Sequence, residues 1–332
     1  MQCSRWTSAL LLGAALCLTD AAARGHDVAT PAADERSAMD WLRAIQTAAM
    51  HADYTGTITY QRGDEIRSSH IVHYFDGTAP RERVLMLDGR PREFIRQGDE
   101  VHCLYPKVRR LVIEHAAAHA SFPALGHFDV SHVLEHYVLT TGELERVAGI
   151  DCRVLRLASR DSLRYGYRLW VEPKSGLLLK VQVVGPADAV IEQIAFSDVR
   201  IGEPINMVEL KPSWSTAGWD VVQHASHKIE LIRQGWSVTA PEGFQVVTEV
   251  ERSLSGDAKR AALQAVYSDG LATISVFIEP GAAPADPGPL QQRGPFSAFM
   301  RQLGDARITA VGEVPPETTR SIADSVRFVA SH

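Results

Sequence analysis

Residues 163–184 read LRYGYRLWVEPKSGLLLKVQVV, two apolar arms around a Lys174-Ser175-Gly176 turn. Within each arm the apolar side chains recur at every second position, which is the spacing of residues on one face of a β-strand. The aligned residues are Leu163, Tyr165, Tyr167, Leu169 and Val171 in the first arm, and Leu177, Leu179, Val181 and Val183 in the second. The stretch therefore predicts an antiparallel hairpin with one apolar face.

The period-two pattern covers residues 54–201 except for a break at 114–140, which we predict to be a loop and a short helix. Its short apolar runs alternate with turn signals such as Asp76-Gly77 and Asp88-Gly89. Apolar residues at helical spacing predict a helix over residues 37–51. This order indicates about ten strands in one antiparallel meander, and an open sheet of that size must curl or split. We predict a mainly β (α+β) fold whose large curved sheet, an incomplete barrel, has helices over its open side.

A second set of strands follows a segment in which the pattern weakens. We interpret residues 202–234 as a linker and residues 235–332 as a smaller α+β domain. This domain contains VYSDGLATISVFI, residues 266–278. Asp269-Gly270 between alternating apolar arms predicts a hairpin turn, because glycine adopts positive φ without strain. Ser268 lacks the G-x-S-x-G sequence of a nucleophile elbow, so we do not interpret it as a catalytic serine.

The N-terminal segment has the three parts of a secretory signal peptide. Arg5 precedes the apolar run SALLLGAALCL, and Ala21-Ala22-Ala23 offers a cleavage site. Leu16 stands before Cys17 where lipoprotein processing needs a small residue, which disfavours acylation. We therefore expect a signal peptide over 1–23, a flexible mature N-terminus over 24–36, and a soluble protein in the periplasm.

Two further features bear on partners and covalent chemistry. The formal net charge of −6 gives no general attraction to nucleic acid or to anionic membranes. Without the signal peptide the chain retains Cys103 and Cys152. In an oxidising compartment these two could form a disulfide, or they could be separately buried thiols, and their spacing alone does not decide.

The segment HVLEH, His132 to His136, matches the H-x-x-E-H motif in which two histidines one turn apart bind zinc. His115 and His119 form a second pair at the same spacing. A catalytic metal centre also needs a third protein ligand and a longer helix, whereas this helix is predicted to be short. We predict surface histidines on a loop-and-helix excursion, with no catalytic residues, no metal site and no cofactor.

The apolar face of the first domain has two interpretations. It is either a buried sheet face covered by helices, or a cavity in the mouth of a half-closed barrel that takes an acyl chain. If it binds lipid, period-two alignment selects its contact residues. They are Ile58, Tyr60, Tyr165, Tyr167, Leu169, Leu179 and Val181.

Four stretches carry a family resemblance. They are VYSDGLATISVFI (266–278), VGEVPPETTRSIADSVRF (311–328), DGRPREFIRQGDEV (88–101) and RYGYRLWVEPKSGLLLKV (164–181). Together they resemble the MucB/RseB family of periplasmic regulators, over nearly all of the chain that follows the signal peptide. The histidine-rich segment 115–136 and Cys103 depart from the family's pattern.

The resemblance implies a LolA/LolB-like half-barrel, the lipid-sensing domain over 37–201, joined by a linker to a smaller C-terminal domain. Because the joint between the two sets of strands is weakly patterned, we hypothesise that residues 202–234 are a hinge and that 235–332 is the anti-sigma-binding domain. The implied partner is the periplasmic domain of a membrane-spanning anti-sigma factor of the RseA/MucA type. Its binding would shield that factor from site-1 proteolysis, keeping a sigma-E/AlgU type factor sequestered until lipopolysaccharide or another lipid releases it. No catalysis is implied. We assign partner contacts to Tyr267, Asp269 and Gly270.

Two questions stay open from the sequence. The first is the oligomeric state, since a homo-oligomer is compatible with the pattern. The second is an alternative function, a periplasmic lipid or lipoprotein carrier of the LolA/LolB type, which would use the curved sheet but has no use for residues 235–332.

Overall fold

A computed structural model describes residues 36–98, 100–115, 122, 129–223, 226–253, 261–282 and 291–329. The predicted signal peptide, nearly all of the predicted flexible N-terminus, His119 and most of the histidine-rich segment lie outside these residues. Within the described part of the chain, no helix is both long and apolar enough to cross a membrane.

The larger sheet contains twelve of the strands that the structure describes. They are β1 Tyr54–Arg62, β2 Glu65–Phe75, β3 Pro80–Met86, β4 Glu93–Gln97, β5 Glu100–Tyr105, β6 Arg110–His115, β7 Tyr137–Val147, β8 Ile150–Ser159, β9 Gly166–Val171, β10 Leu178–Val184, β11 Val190–Ile201 and β12 Asp220–Gln223. Their order is β12-β6-β5-β4-β3-β2-β1-β11-β10-β9-β8-β7. The sheet ends at β12 and β7, which are not paired with each other, so the predicted unclosed sheet is confirmed.

The single unbroken meander of the sequence interpretation is wrong. Strands β1–β6 and β7–β11 form two meanders, which join where β1 pairs with β11, the last strand of the second meander. At this junction Gly56 has no room for a side chain, because a Cβ would lie 2.3 Å from the carbonyl oxygen of Asp198. Glycine is therefore required where the two backbones approach closely.

Two helices cover one face of this sheet. α1, Ala38–His51, begins with a capping box in which the Ser37 and Asp40 side chains satisfy each other's backbone N–H groups. α2 spans Val130–His136. Their apolar side chains pack against strands β8, β9 and β10 and form the core under α1 and α2. Its members are Trp41, Leu42, Ile45, Val130, Val133, Tyr137, Leu155, Leu157, Tyr165, Tyr167, Leu169, Val171, Leu178 and Val183.

The hairpin of residues 163–184 forms as predicted, but its second arm does not keep one face throughout. Leu178 pairs with Val171 and Lys180 with Trp170, so the register shifts between them by one residue. This bulge moves Leu179 into a neighbouring core with Trp170, whereas Val181 packs against the core under α1 and α2. A bulge reverses the inside–outside alternation beyond it, so the predicted shared face of Leu179 and Val181 is wrong.

The segment interpreted as a linker, residues 202–234, is joined to both sheets. Its strand β12 pairs in parallel with β6 of the large sheet. Ser213 donates from its backbone N–H and its hydroxyl to the buried carboxylate of Glu93, which also accepts from Arg83. The strand β13, Ser226–Lys228, pairs with the smaller sheet. Between β12 and β13, only residues 224 and 225 lie outside the description.

The smaller sheet contains seven of the described strands, in the order β13-β15-β16-β17-β20-β19-β18. The members after β13 are β15 Gln245–Ser253, β16 Ala261–Ser268, β17 Thr273–Glu279, β18 Gln291–Arg293, β19 Phe296–Leu303 and β20 Ala306–Gly312, while β14 Trp236–Ser237 pairs separately with β21 Arg327–Phe328. Helix α3, Pro316–Ser325, contacts β19 and β20. The predicted hairpin of residues 266–278 is confirmed, because β16 and β17 pair from Leu263–Ile278 to Ser268–Thr273 around Gly270, whose φ is +101°.

Both remaining cysteines are buried and free. Cys103 lies on β5 and Cys152 on β8, on opposite sides of the β1–β11 junction in the strand order. Burial raises the pKa of the Cys103 thiol to about 11 and that of Cys152 to about 12. Of the two alternatives that the sequence left open, the structure shows separately buried thiols and no disulfide.

Candidate functional site

The Asp269 carboxylate lies at the centre of the interface between the two sheets. Its side chain has no exposed surface. One oxygen accepts from the backbone N–H groups of Leu271 (2.9 Å) and Ala272 (2.7 Å), which fixes the β16–β17 turn. The other oxygen accepts from the Tyr137 hydroxyl and from Nη1 of Arg164, each at 2.9 Å, and both donors belong to the large sheet and its connections. Four hydrogen bonds thus satisfy a carboxylate that is shielded from water.

Arg164 is the matching cation on the other side of the interface, and its side chain is also fully buried. It precedes β9, where Asp161 accepts from its Nε at 3.1 Å. Its Nη2 donates to the backbone carbonyl of Glu242, and its guanidinium lies 4.9 Å from the ring centroid of Phe244. All three guanidinium nitrogens are therefore engaged, two of them by the smaller sheet and its connections.

The tip of the 266–278 hairpin inserts into the larger domain's packing. Leu271 packs against the core that α1 and α2 cover. Around it, His132 Nε2 lies 2.7 Å from the carbonyl oxygen of Gly243, and Gln292 donates to the Tyr165 hydroxyl at 3.3 Å. A polar rim around an apolar contact is the usual anatomy of an interface between folded units.

The Thr318 hydroxyl supplies a further hydrogen bond across the interface. It is buried at the first turn of α3 and donates to the carbonyl oxygen of Leu163 at 2.9 Å. Thr318→Val keeps the side-chain shape but removes the donor, leaving a carbonyl without this partner. We expect the free energy of unfolding to fall by about 1–2 kcal/mol, measured by urea denaturation. Thr140→Val at an exposed position is the matched control, and an equal loss in both variants would contradict the role of this bond.

Two carboxyl groups approach each other across the same interface. Glu192 on β11 accepts a hydrogen bond of 2.6 Å from the Tyr60 hydroxyl. Glu313 follows β20 on the opposite side. Burial, with a smaller contribution from the charge of Glu192, raises the pKa of Glu313 to about 7. Burial also raises the pKa of Glu192. The interface therefore holds a carboxyl group that changes its charge near neutral pH.

The structure divides six of the seven predicted lipid-binding residues between two cores. Tyr165, Tyr167, Leu169 and Val181 belong to or pack against the core under α1 and α2, whereas Leu179 and Ile58 do so in the neighbouring core, and Tyr60 is bound to Glu192. The described residues place Trp41, Leu42 and Ile45 of α1 over the first group. Lipid contact by these residues stays a prediction.

The three residues predicted to contact a partner lie at the β16–β17 turn. Tyr267 is buried in the core of the smaller sheet, and Gly270 forms the turn. Asp269 is committed to Arg164 and Tyr137. Contact of these residues with a partner protein stays a prediction. The sequence interpretation missed Arg164 as a site residue, because its position between Leu163 and Tyr165 in an alternating arm predicts the polar face of a strand and not a buried ion pair.

Fold and site together define a two-part β protein, in which an unclosed twelve-stranded sheet and a smaller sheet with one helix are held together by a buried polar interface. Solved structures with this arrangement exist. The crystal structure of MucB in complex with MucA(peri) matches with a TM-score of 0.69 at 27% identity, covering 89% of this chain and 100% of that chain. A structure of the Pseudomonas aeruginosa MucA/MucB complex matches with a TM-score of 0.69 at 28% identity, covering 89% and 99%.

The sequence comparisons are consistent with this. The profile of the MucB/RseB N-terminal domain matches residues 37–214, and that of the MucB/RseB C-terminal domain matches residues 230–327. The sigma factor AlgU regulatory protein MucB of Pseudomonas aeruginosa is 29% identical over 91% of this chain and 95% of that relative. The sigma-E factor regulatory protein RseB of Escherichia coli K12 is 26% identical over 87% and 90%. The chain belongs to the MucB/RseB family.

Proposed function

We propose that this protein is a periplasmic negative regulator of an envelope-stress sigma factor of the sigma-E/AlgU type. It would bind the periplasmic domain of a membrane-spanning anti-sigma factor of the RseA/MucA type and shield it from site-1 proteolysis. The observation that carries the proposal is the match, over 89% of this chain, to MucB in complex with MucA(peri). The regulatory names of the relatives support a binding protein rather than an enzyme.

Lipid would release the anti-sigma factor if the two ligands favour different arrangements of the two sheets. A ligand shifts such an equilibrium only by the difference between its affinities for the two states. The interface around Arg164 and Asp269 is the element that the ligands would bias, because it is buried, polar and made from both sheets. Lipid that enters the core under α1 would displace that helix and change the packing of Leu271 at the hairpin tip.

Two buried polar atoms favour this core as the lipid site. The Tyr167 hydroxyl and the Trp41 indole N–H have no hydrogen-bond partner among the described residues. A buried polar group left without a partner costs about 1–3 kcal/mol. Both residues belong to the core under α1 and α2. Acceptor groups at the polar end of a lipid would accept hydrogen bonds from these donors. Each CH₂ of its acyl chain that becomes buried would add about 0.8 kcal/mol to the favourable free energy of binding.

A protection assay tests the proposal. The purified chain without its predicted signal peptide is mixed with the periplasmic domain of the cognate anti-sigma factor and the site-1 protease. At a tenfold excess over Kd only about one substrate molecule in eleven stays free, so cleavage should slow roughly tenfold. Added lipopolysaccharide should restore the rate.

An unrelated periplasmic protein at the same concentration is the control for nonspecific protection. An unchanged cleavage rate at saturating chain would contradict the regulator function. If the same preparation instead captures acylated proteins from an envelope extract, the alternative function of a lipid or lipoprotein carrier is supported.

A further inference from the structure

Helix α2 presents three metal-ligating side chains on one face. His132, Glu135 and His136 are three and four residues apart, which places them on the same side of a helix. One ligand atom from each, a ring nitrogen or a carboxylate oxygen, lies within 4.8 Å of the others. Imidazole nitrogen and carboxylate oxygen are both common ligands of zinc.

The hydrogen bonds of His132 leave one ring nitrogen facing a carboxylate. Its Nε2 lies 2.7 Å from the carbonyl oxygen of Gly243, which can only accept, so Nε2 carries a proton. Its Nδ1 lies 3.5 Å from Oε2 of Glu135. Both ring nitrogens therefore face oxygen acceptors. A neutral imidazole has one N–H, so the lone pair of Nδ1 and the carboxylate oxygens of Glu135 are both available as ligands for a metal ion.

The geometry points to the metal ion. With zinc bonds of ~2.0–2.1 Å at tetrahedral angles, neighbouring ligand atoms are about 3.4 Å apart, close to the Nδ1–Oε2 separation. Metal-bound histidines usually donate their other N–H to a carbonyl or carboxylate, as His132 does to Gly243. His136 completes the group, with its ring centroid 4.9 Å from that of His132.

We propose that His132, Glu135 and His136 form a zinc site, non-catalytic and built into the interface between the two sheets. The carbonyl that orients His132 comes from the loop before β15 of the smaller sheet. The His136 ring lies against the same glycine, since a Cβ at position 243 would be 2.6 Å from its Nε2. Zinc on α2 therefore stabilises the packed arrangement of the sheets, because its supporting carbonyl is present only there. This proposal differs from the sequence-based prediction of surface histidines and no metal site, which no observation tests, and it does not depend on the proposed function.

Zinc titration of the chelator-treated chain tests the site, with ZnCl₂ as the probe. Calorimetry should show one zinc per chain with a Kd below 10 µM, and Tm should rise by roughly 5 °C at a 100-fold excess over Kd. Glu135→Gln removes one ligand from an exposed position, so the variant should fold normally. We expect it to bind zinc at least 10-fold more weakly and to lose most of the rise in Tm.

Glu143→Gln is the matched control, because Glu143 is an exposed glutamate on the following strand. It should bind zinc as the unchanged chain does. His136→Gln should also weaken binding at least 10-fold. A Kd above 10 µM for the unchanged chain would overturn the site, as would equal affinity for the unchanged chain and Glu135→Gln, because the metal would then be held by other histidines.

Discussion

Replacing Asp269 with alanine is expected to lower the free energy of unfolding by about 3–5 kcal/mol, since the change removes the buried counter-charge of Arg164 and leaves its guanidinium only the partly exposed carboxylate of Asp161. The Tyr137 hydroxyl and two backbone N–H groups lose their acceptor as well. Urea denaturation followed by tryptophan fluorescence measures the loss. The two sheets have separate cores, so we also expect their unfolding transitions to move apart in the variant.

The companion variants separate the ion pair from a general defect. Arg164→Met should lower the free energy of unfolding by a similar amount. The double variant, Asp269→Ala with Arg164→Met, should lose clearly less than the sum of the two single losses, because neither member of the buried pair remains without the other. Glu230→Ala is the control. It breaks an ion pair with Arg233 whose side chains are 57% and 76% exposed, and it should change stability by less than about 0.5 kcal/mol. A loss below 1 kcal/mol for Asp269→Ala would show that this pair does not hold the interface.

Features encoded by neighbouring residues could be predicted from the sequence. The turn at Asp269-Gly270 needs only an aspartate that accepts from the next backbone N–H groups and a glycine at positive φ, within two alternating arms. Helix α1 was predicted over 37–51 and spans Ala38–His51. The unclosed curved sheet followed from the number of strands and the limits on sheet width.

Features that depend on distant residues could not be predicted in this way. Asp269 and Arg164 are 105 positions apart, and the Gly243 carbonyl that orients His132 is 111 positions away. A charged residue between apolar ones does not reveal its partner, and a histidine motif does not reveal the groups that support it. The register shift between Leu178 and Lys180 could not be predicted either, because a bulge adds one residue to a strand without changing the composition of the strand.

The second large effect concerns pH. We expect Glu313→Gln to become more stable relative to the unchanged chain as pH rises from 4 to 8, by about 3 kcal/mol in total. The pKa of Glu313 is raised from 4.5 to about 7 in the folded protein. Between these values the folded state holds a proton that the unfolded state has lost, so the stability from the neutral carboxyl is complete below pH 4.5 and disappears as pH passes 7. Glutamine is neutral at every pH and escapes this loss.

Urea denaturation of both proteins at several pH values gives the difference directly, because the contributions of all other groups cancel. Glu143→Gln is the control, an exposed glutamate replaced in the same way. A flat difference for Glu313→Gln would show that this carboxyl ionises as freely when folded as when unfolded. A slope between pH 4.5 and 7 would mean that burial at this interface, with a smaller contribution from the charge of Glu192, keeps Glu313 protonated in the folded protein.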